Sequence, residues 1–497
     1  MTPPVKSWDL TFALQPDAAL PLFQQISAAI TAAIRQGRLR AGSRLPGTRT
    51  LAQSLLVNRN TVIAAYGELA GEGWVESSRA SGTFISRSLP DLRPKGFARS
   101  SARRTEVPAR IGFDLSATAA PSSSIRASSQ DLSTPPPLAL SVGAPDVRLT
   151  PVDLIARAYR RAIRGHSQSV LGYGHTQGHP DLRAALASML ASTRGLATSA
   201  DDVVVTSGSQ MALELVSRAV FRPGDVVAVE QIGYRPAWLA FQQHGAKVVP
   251  IPVDSGGIDI EALVRLAQRT AVRAVYVTPH HQYPTTATLT AGRRIALLDL
   301  ARQLRIAIIE DDYDHEYHYE GRPVLPLASV DNAGVVVYIG TLAKVIAPGI
   351  RIGYVVAPRP LLDSVAAHRH IIDRQGDHTL ECAVAELLRD GMVQRHARRV
   401  RRIYQARRDA LVGTLRTEFS DSLSFNVPAG GIAVWAAAAT GIDVDAWAAR
   451  AARSALTVLT ARQYAFDARS RPFLRIGFAA LDEKEMAAAL QRLKKAL

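Results

Sequence analysis

The chain has 497 residues, 47% of them hydrophobic, which leaves room for two or three domains with sizeable cores. Its single cysteine, Cys382, excludes an intrachain disulfide and fits a reducing, cytoplasmic setting, while the longest apolar runs, such as 333–343, are too short to span a bilayer. The formal charge of +16 points to a polyanionic partner, and nothing near the start has the layout of a signal peptide.

Leu22, Ile26, Ile30, Ala33 and Ile34 recur at helical spacing, and Gly37 stops that helix. A second short helix follows "LPGT" and turns Leu51, Ala52 and Leu55 inward. A third opens at Asn58, a good N-cap, and buries Val62, Tyr66 and Leu69 along one stripe. "GWVESSRASGTFIS" then supplies two short strands around a turn containing Gly82.

Three helices and a hairpin predict a winged helix-turn-helix over 18–88. Arg59, Asn60 and Thr61 occupy the first turn of the third helix, the part of a recognition helix that reaches base edges. Arg49 and Thr50 open the second helix, where an arginine and free amides suit a phosphate. The segments "RTLA", "NRNTVIAAY" and "GTFI" resemble the GntR-type DNA-binding domain, which implies double-stranded DNA as the partner. From 89 to 137 the chain is rich in Ser, Pro, Ala and Arg without periodicity, so a flexible linker is expected.

In 138–497, strand-like segments ("DDVVVTSGS", "DVVAVE", "AKVVPIPV", "RAVYVT", "IAIIEDD", "GVVVYIG") alternate with helical stretches. This predicts an α/β domain with functional groups at strand ends. Each polar strand end suits one part of pyridoxal 5'-phosphate. Lys344, after "VVVYIG", is the candidate amine for the cofactor aldehyde. Asp311 would keep the pyridine nitrogen protonated, and Tyr313 would hydrogen-bond the phenolic oxygen. Gly208, Ser209 and Gln210 open a helix suited to phosphate, Arg351 adds a bidentate grip, and Tyr234 suits stacking on the ring. A metal reading of "DDYDHEYH", 311–318, lacks a second His or Cys cluster at ligand spacing, so no metal is expected.

In this order the motifs resemble the fold-type I aminotransferases, with "YGHTQGHPDLRAAL" and "LRIGFA" in agreement. That resemblance implies a mainly parallel mixed sheet and a homodimer. It also implies that Tyr173 reaches the phosphate of the neighbouring subunit, that Thr341 contacts the phosphate, and that Arg475 takes a ligand carboxylate. The whole arrangement, with "TPHHQYPTTATL" and "IGTLAKVIAPGIRIGY", resembles the MocR subfamily of transcriptional regulators. A DNA-binding regulator that senses the cofactor or its adduct with an amino compound is therefore expected, and a working aminotransferase with a DNA-binding head is the alternative. Sensing is favoured because Tyr283 replaces the asparagine of the aminotransferase N-P-x-G motif. Thr286 stands where a glycine is usual, which puts the local turn in question.

Overall fold

The structure, a computed structural model, describes residues 14–15, 20–78, 82–89, 138–140, 143–321 and 324–497. All but the first residue of the expected linker lies outside them. The described residues fall into two compact units.

The first unit holds helices Leu22–Arg35, Thr48–Ser54 and Arg59–Gly71 and the antiparallel hairpin Val75–Ser78 with Gly82–Ile85. Ile26, Ile30, Ala33 and Ile34 are buried against Leu51, Val62, Leu69 and Trp74, the stripe that the helical spacing predicts. Gly37 follows at φ +73°, where a side chain would be strained. The Asn58 side chain accepts the Asn60 amide at 2.8 Å and so starts the third helix. Tyr66 on that helix donates to the Pro46 carbonyl at 2.8 Å and fixes the approach to the second helix. Gly82 begins the second strand, opposite Ser78, and its φ of +101° brings the chain out of the turn.

In the second unit the six anticipated strands form, joined by a seventh, Gly353–Val356. Across the sheet the order is Val203–Thr206, Gly353–Val356, Val336–Thr341, Ala307–Asp312, Val272–Val277, Val226–Glu230, Lys247–Ile251. All pairings are parallel except the two made by Gly353–Val356. That strand has only four residues and directly follows a loop, too short to show a period of its own.

Side chains alternate between two covered faces. Val204, Val227, Tyr276, Ile309 and Ile339 pack with helices Ser209–Val220 and Arg235–Gln243. Ala228, Val275, Val277 and Ile308 pack with Ile260–Arg269 and Ala291–Leu304, while Val205, Tyr338 and Tyr354 pack with Pro180–Arg194 and His378–Arg389. Burying each Val or Ile contributes about 1.5–3 kcal/mol, so this double-covered sheet is the rigid platform that aims the strand ends. A C-terminal lobe sets the sheet Leu423–Phe425, Ala433–Ala438, Phe473–Gly477, Leu459–Thr460 under helices Met392–Glu418, Val444–Arg453 and Glu483–Lys495. No described helix is long and apolar enough to cross a membrane.

Candidate functional site

A cavity of about 320 Å³ opens at the carboxyl ends of the central strands. Ser209, Gln210, Tyr234, Asp311, Tyr313, Thr341, Lys344 and Arg351 all line it, drawn together from a span of more than a hundred residues. Lys344 lies in the turn after Val336–Thr341 and donates through Nζ to the Gly143 carbonyl at 2.5 Å. Burial, with the charge of Arg475 beside it, holds its amine below the ordinary lysine range.

Asp311 is the penultimate residue of its strand and is buried. One oxygen, Oδ2, accepts from the Tyr276 hydroxyl at 2.8 Å, while Oδ1 has no partner among the described residues. Burial raises this carboxyl to about 7. A protonated pyridine nitrogen would supply the missing donor and restore the ionised form. Tyr313 donates to the His281 carbonyl at 3.0 Å, so the phenolic hydroxyl expected to face the ring is also anchored to the backbone.

The end of the cavity at Ser209 and Arg351 is built by close backbone approach. Gly208, the N-cap of helix Ser209–Val220, stands at φ +82°, and a Cβ there would come within 2.7 Å of the Arg351 guanidinium. A side chain at Gly353 would meet the Ser209 amide nitrogen at 2.7 Å. Arg351 donates to the Ser207 carbonyl at 2.7 Å and therefore lies across this turn. The Thr341 hydroxyl donates to the Ile352 carbonyl at 3.2 Å and accepts the Ala343 amide at 3.1 Å. Tyr234 donates to Gln210 Oε1 at 3.4 Å, and burial pushes its hydroxyl up to about 12, so it stays a donor.

Arg475 is buried on Phe473–Gly477, with its guanidinium 5.1 Å from the Tyr283 ring and 3.1 Å from where a Gly143 side chain would start. Tyr283 also meets Tyr234, Tyr313 and Tyr464 edge-on, at 5.6, 5.9 and 5.5 Å. Tyr173 does not line this cavity: its ring is 83% exposed, under Arg374 at 4.2 Å. In the first unit Arg49, Thr50, Arg59 and Asn60 are exposed and Thr61 is half-buried, with Arg59 Nε donating to Thr48 Oγ1 at 3.3 Å.

Sequence reading passed over several members of the wall. Tyr276 looked like one more apolar position of "RAVYVT", yet it orients Asp311. Thr278 links buried Glu230 to the Tyr283 amide, at 2.9 Å on each side. Gly143 lies 201 residues from Lys344, and no local signal announces it. Spacing along the chain shows no second His or Cys cluster beside 311–318, but the fold sets His280 and His281 against His315 and His318, with ring centroids 4.5–6.0 Å apart between the pairs.

The doubt over Thr286 has a concrete basis. It sits at φ +62°, the left-handed conformation that a glycine adopts without strain. Thr286→Gly should raise stability by about 1 kcal/mol, read from urea unfolding midpoints at unchanged slope. No change, or a loss, would show that the Thr286 side chain compensates for the strain.

A helix-turn-helix unit and a fold-type I aminotransferase unit with a lysine-bearing pocket define a chain of two fused domains. Residues 135–493 match aminotransferase class I and II, and residues 22–85 match bacterial regulatory proteins, gntR family. The probable rhizopine catabolism regulatory protein MocR of Rhizobium meliloti is 31% identical, over 97% of this chain and 95% of its own length. The HTH-type pyridoxine biosynthesis transcriptional regulator PdxR of Corynebacterium glutamicum is 31% identical over 82% of each chain. Among solved structures, LysN, the alpha-aminoadipate aminotransferase of Thermus thermophilus, superposes with a TM-score of 0.68 at 27% identity, over 73% of this chain and 92% of that one. The chain belongs to the MocR-type regulators of the GntR family, which join a DNA-binding head to an aminotransferase class I and II domain. It is a DNA-binding transcriptional regulator, and pyridoxal 5'-phosphate is the cofactor of its larger domain.

Proposed function

We propose that operator binding by the head responds to pyridoxal 5'-phosphate, or to its adduct with an amino compound, in the larger domain. When bound, the cofactor supplies an aldehyde that captures amines and a ring that withdraws electrons. In this reading Lys344 presents the amine, Asp311 holds the proton at the ring nitrogen, and Tyr313 faces the phenolic oxygen. Gly208, Ser209, Gln210, Thr341 and Arg351 hold the phosphate, and Tyr234 stacks on the ring. Tyr173, exposed on its own chain, completes the pocket of a second copy in a homodimer.

The observation that carries sensing over turnover is Tyr283. Its ring lies at the pocket wall among Tyr234, Tyr313 and Arg475, where the aminotransferase motif places a ring-holding asparagine. The completeness of the remaining pocket favours a second reading, transamination by a DNA-binding enzyme. The two separate in one experiment. Operator affinity is measured with apo-protein, with cofactor, and with cofactor plus a panel of amino compounds, while keto product is assayed in parallel. A change in affinity without multiple turnovers supports sensing. Unchanged affinity with steady turnover supports the enzyme.

Arg475 tests the nature of the effector. Arg475→Ala should weaken the response to amino acids by about 10–100-fold, the worth of a charged hydrogen-bonded pair, and affect cofactor binding less. Equal loss of both would mean that the arginine is part of the internal structure only.

A further inference from the structure

The histidine cluster beside the cofactor pocket has the make-up of a metal centre. One imidazole nitrogen from each of His280, His281 and His318 lies within 4.8 Å of the other two. His280 and His281 are buried, at 5% and 1% exposure, and His318 is half-buried. On His280, Nδ1 lies 3.1 Å from the Val324 carbonyl. A carbonyl only accepts, so Nδ1 carries the proton and Nε2 keeps its lone pair. On His281, Nδ1 lies 2.8 Å from Asp314 Oδ1, a carboxylate oxygen that accepts from it. Both Nε2 atoms are buried without a hydrogen-bond partner among the described residues, and so is Nδ1 of His318.

An orphaned nitrogen on each of three clustered rings is hard to reconcile with a merely structural cluster. A buried acceptor left unmade costs about 1–3 kcal/mol, and ordinary core histidines use both nitrogens. The outer contacts, a carboxylate behind His281 and a carbonyl behind His280, are those that orient metal-ligating imidazoles and set their tautomer. Gly430 packs closely beside this ring, and a Cβ there would fall 2.1 Å from His281 Nε2. His318 also lines a separate pocket of about 280 Å³ with His315, Glu316, Arg194, Arg398 and Arg401, so one of the three rings reaches a cavity. Ligand nitrogens around a tetrahedral ion stand about 3.3 Å apart, given bonds near 2.0–2.1 Å, so modest side-chain rotations would close this set.

The geometry points to a three-histidine site for a borderline divalent transition ion of the zinc or cobalt class, held by His280, His281 and His318. A water or an anionic ligand would complete the ion's coordination. The site is separate from the cofactor pocket but touches it, because the His281 carbonyl holds the Tyr313 hydroxyl.

The test uses the full-length, tag-free protein with its cofactor, cleared of metal by chelator and titrated with cobalt(II) chloride. One equivalent should bind and develop the visible ligand-field bands of a four- or five-coordinate ion. His318→Ala should weaken binding by at least about tenfold while the cofactor absorption is retained. His280→Asn should do the same, which keeps the proposal testable if either variant folds poorly. No uptake above the chelator-treated background would overturn it and leave the cluster a solvated polar pocket. So would uptake that both variants leave unchanged, which would place the cobalt elsewhere.

Discussion

Lys344→Ala should abolish covalent capture of the cofactor. The parent protein, incubated with pyridoxal phosphate, should show a visible absorption that borohydride fixes irreversibly onto one peptide, and that peptide should contain Lys344. In the variant no label should be fixed, although Arg351, Thr341 and the Gly208 turn should still hold some cofactor reversibly. The structure makes Lys344 a better nucleophile than a surface lysine. Burial lowers its amine below the ordinary value of 10.5, so a larger fraction is unprotonated near neutral pH. The sign follows directly: capture should slow as pH falls through that lowered value, at a more acidic pH than for an exposed lysine. Equal label in the parent and in Lys344→Ala would mean that another amine meets the aldehyde and that the pocket has been misread.

The strand ends were legible because each carries a polar residue where an apolar run stops. Lys344, Asp311 and the Gly208–Gln210 turn stand out against "VVVYIG", "IAIIE" and "DDVVVT" for that reason. What stayed hidden depends on contacts between distant segments. Gly143 accepts from Lys344, and nothing in "SVGAP" marks it. Tyr276 hides in a strand whose alternation only says that it is buried. The histidine cluster was missed because its two pairs sit at the ends of different strands, Val272–Val277 and Ala307–Asp312, which the sheet makes adjacent. Spacing along the chain carries no record of a register between parallel strands. The departure at Thr286, by contrast, was visible as a wrong residue type, and its positive φ supplies the physical reason.

The head offers the other large effect, and two arginines should lose affinity in different ways. Arg59 is exposed in the first turn of the third helix, tied at 3.3 Å to Thr48 at the start of the second. That tether directs the guanidinium along the surface formed by the two helix starts. Arg49 is also exposed, within the first turn of the second helix, and neither forms an ion pair among the described residues. A side chain that reads a base edge contributes to one position of the operator, whereas one that meets a phosphate contributes to every sequence alike. Arg59→Ala should therefore cost about 1–3 kcal/mol on the operator and relax preference at a single base pair in each half-site. Arg49→Ala should weaken specific and non-specific binding about equally and lower the slope of log affinity against log salt by about 1 per head. Both are read from binding isotherms over a salt series, on the operator and on single-base variants of it. If Arg59→Ala weakens every sequence equally and lowers the salt slope as Arg49→Ala does, the first turn of the third helix meets only the backbone. Base reading would then have to come from elsewhere in the head.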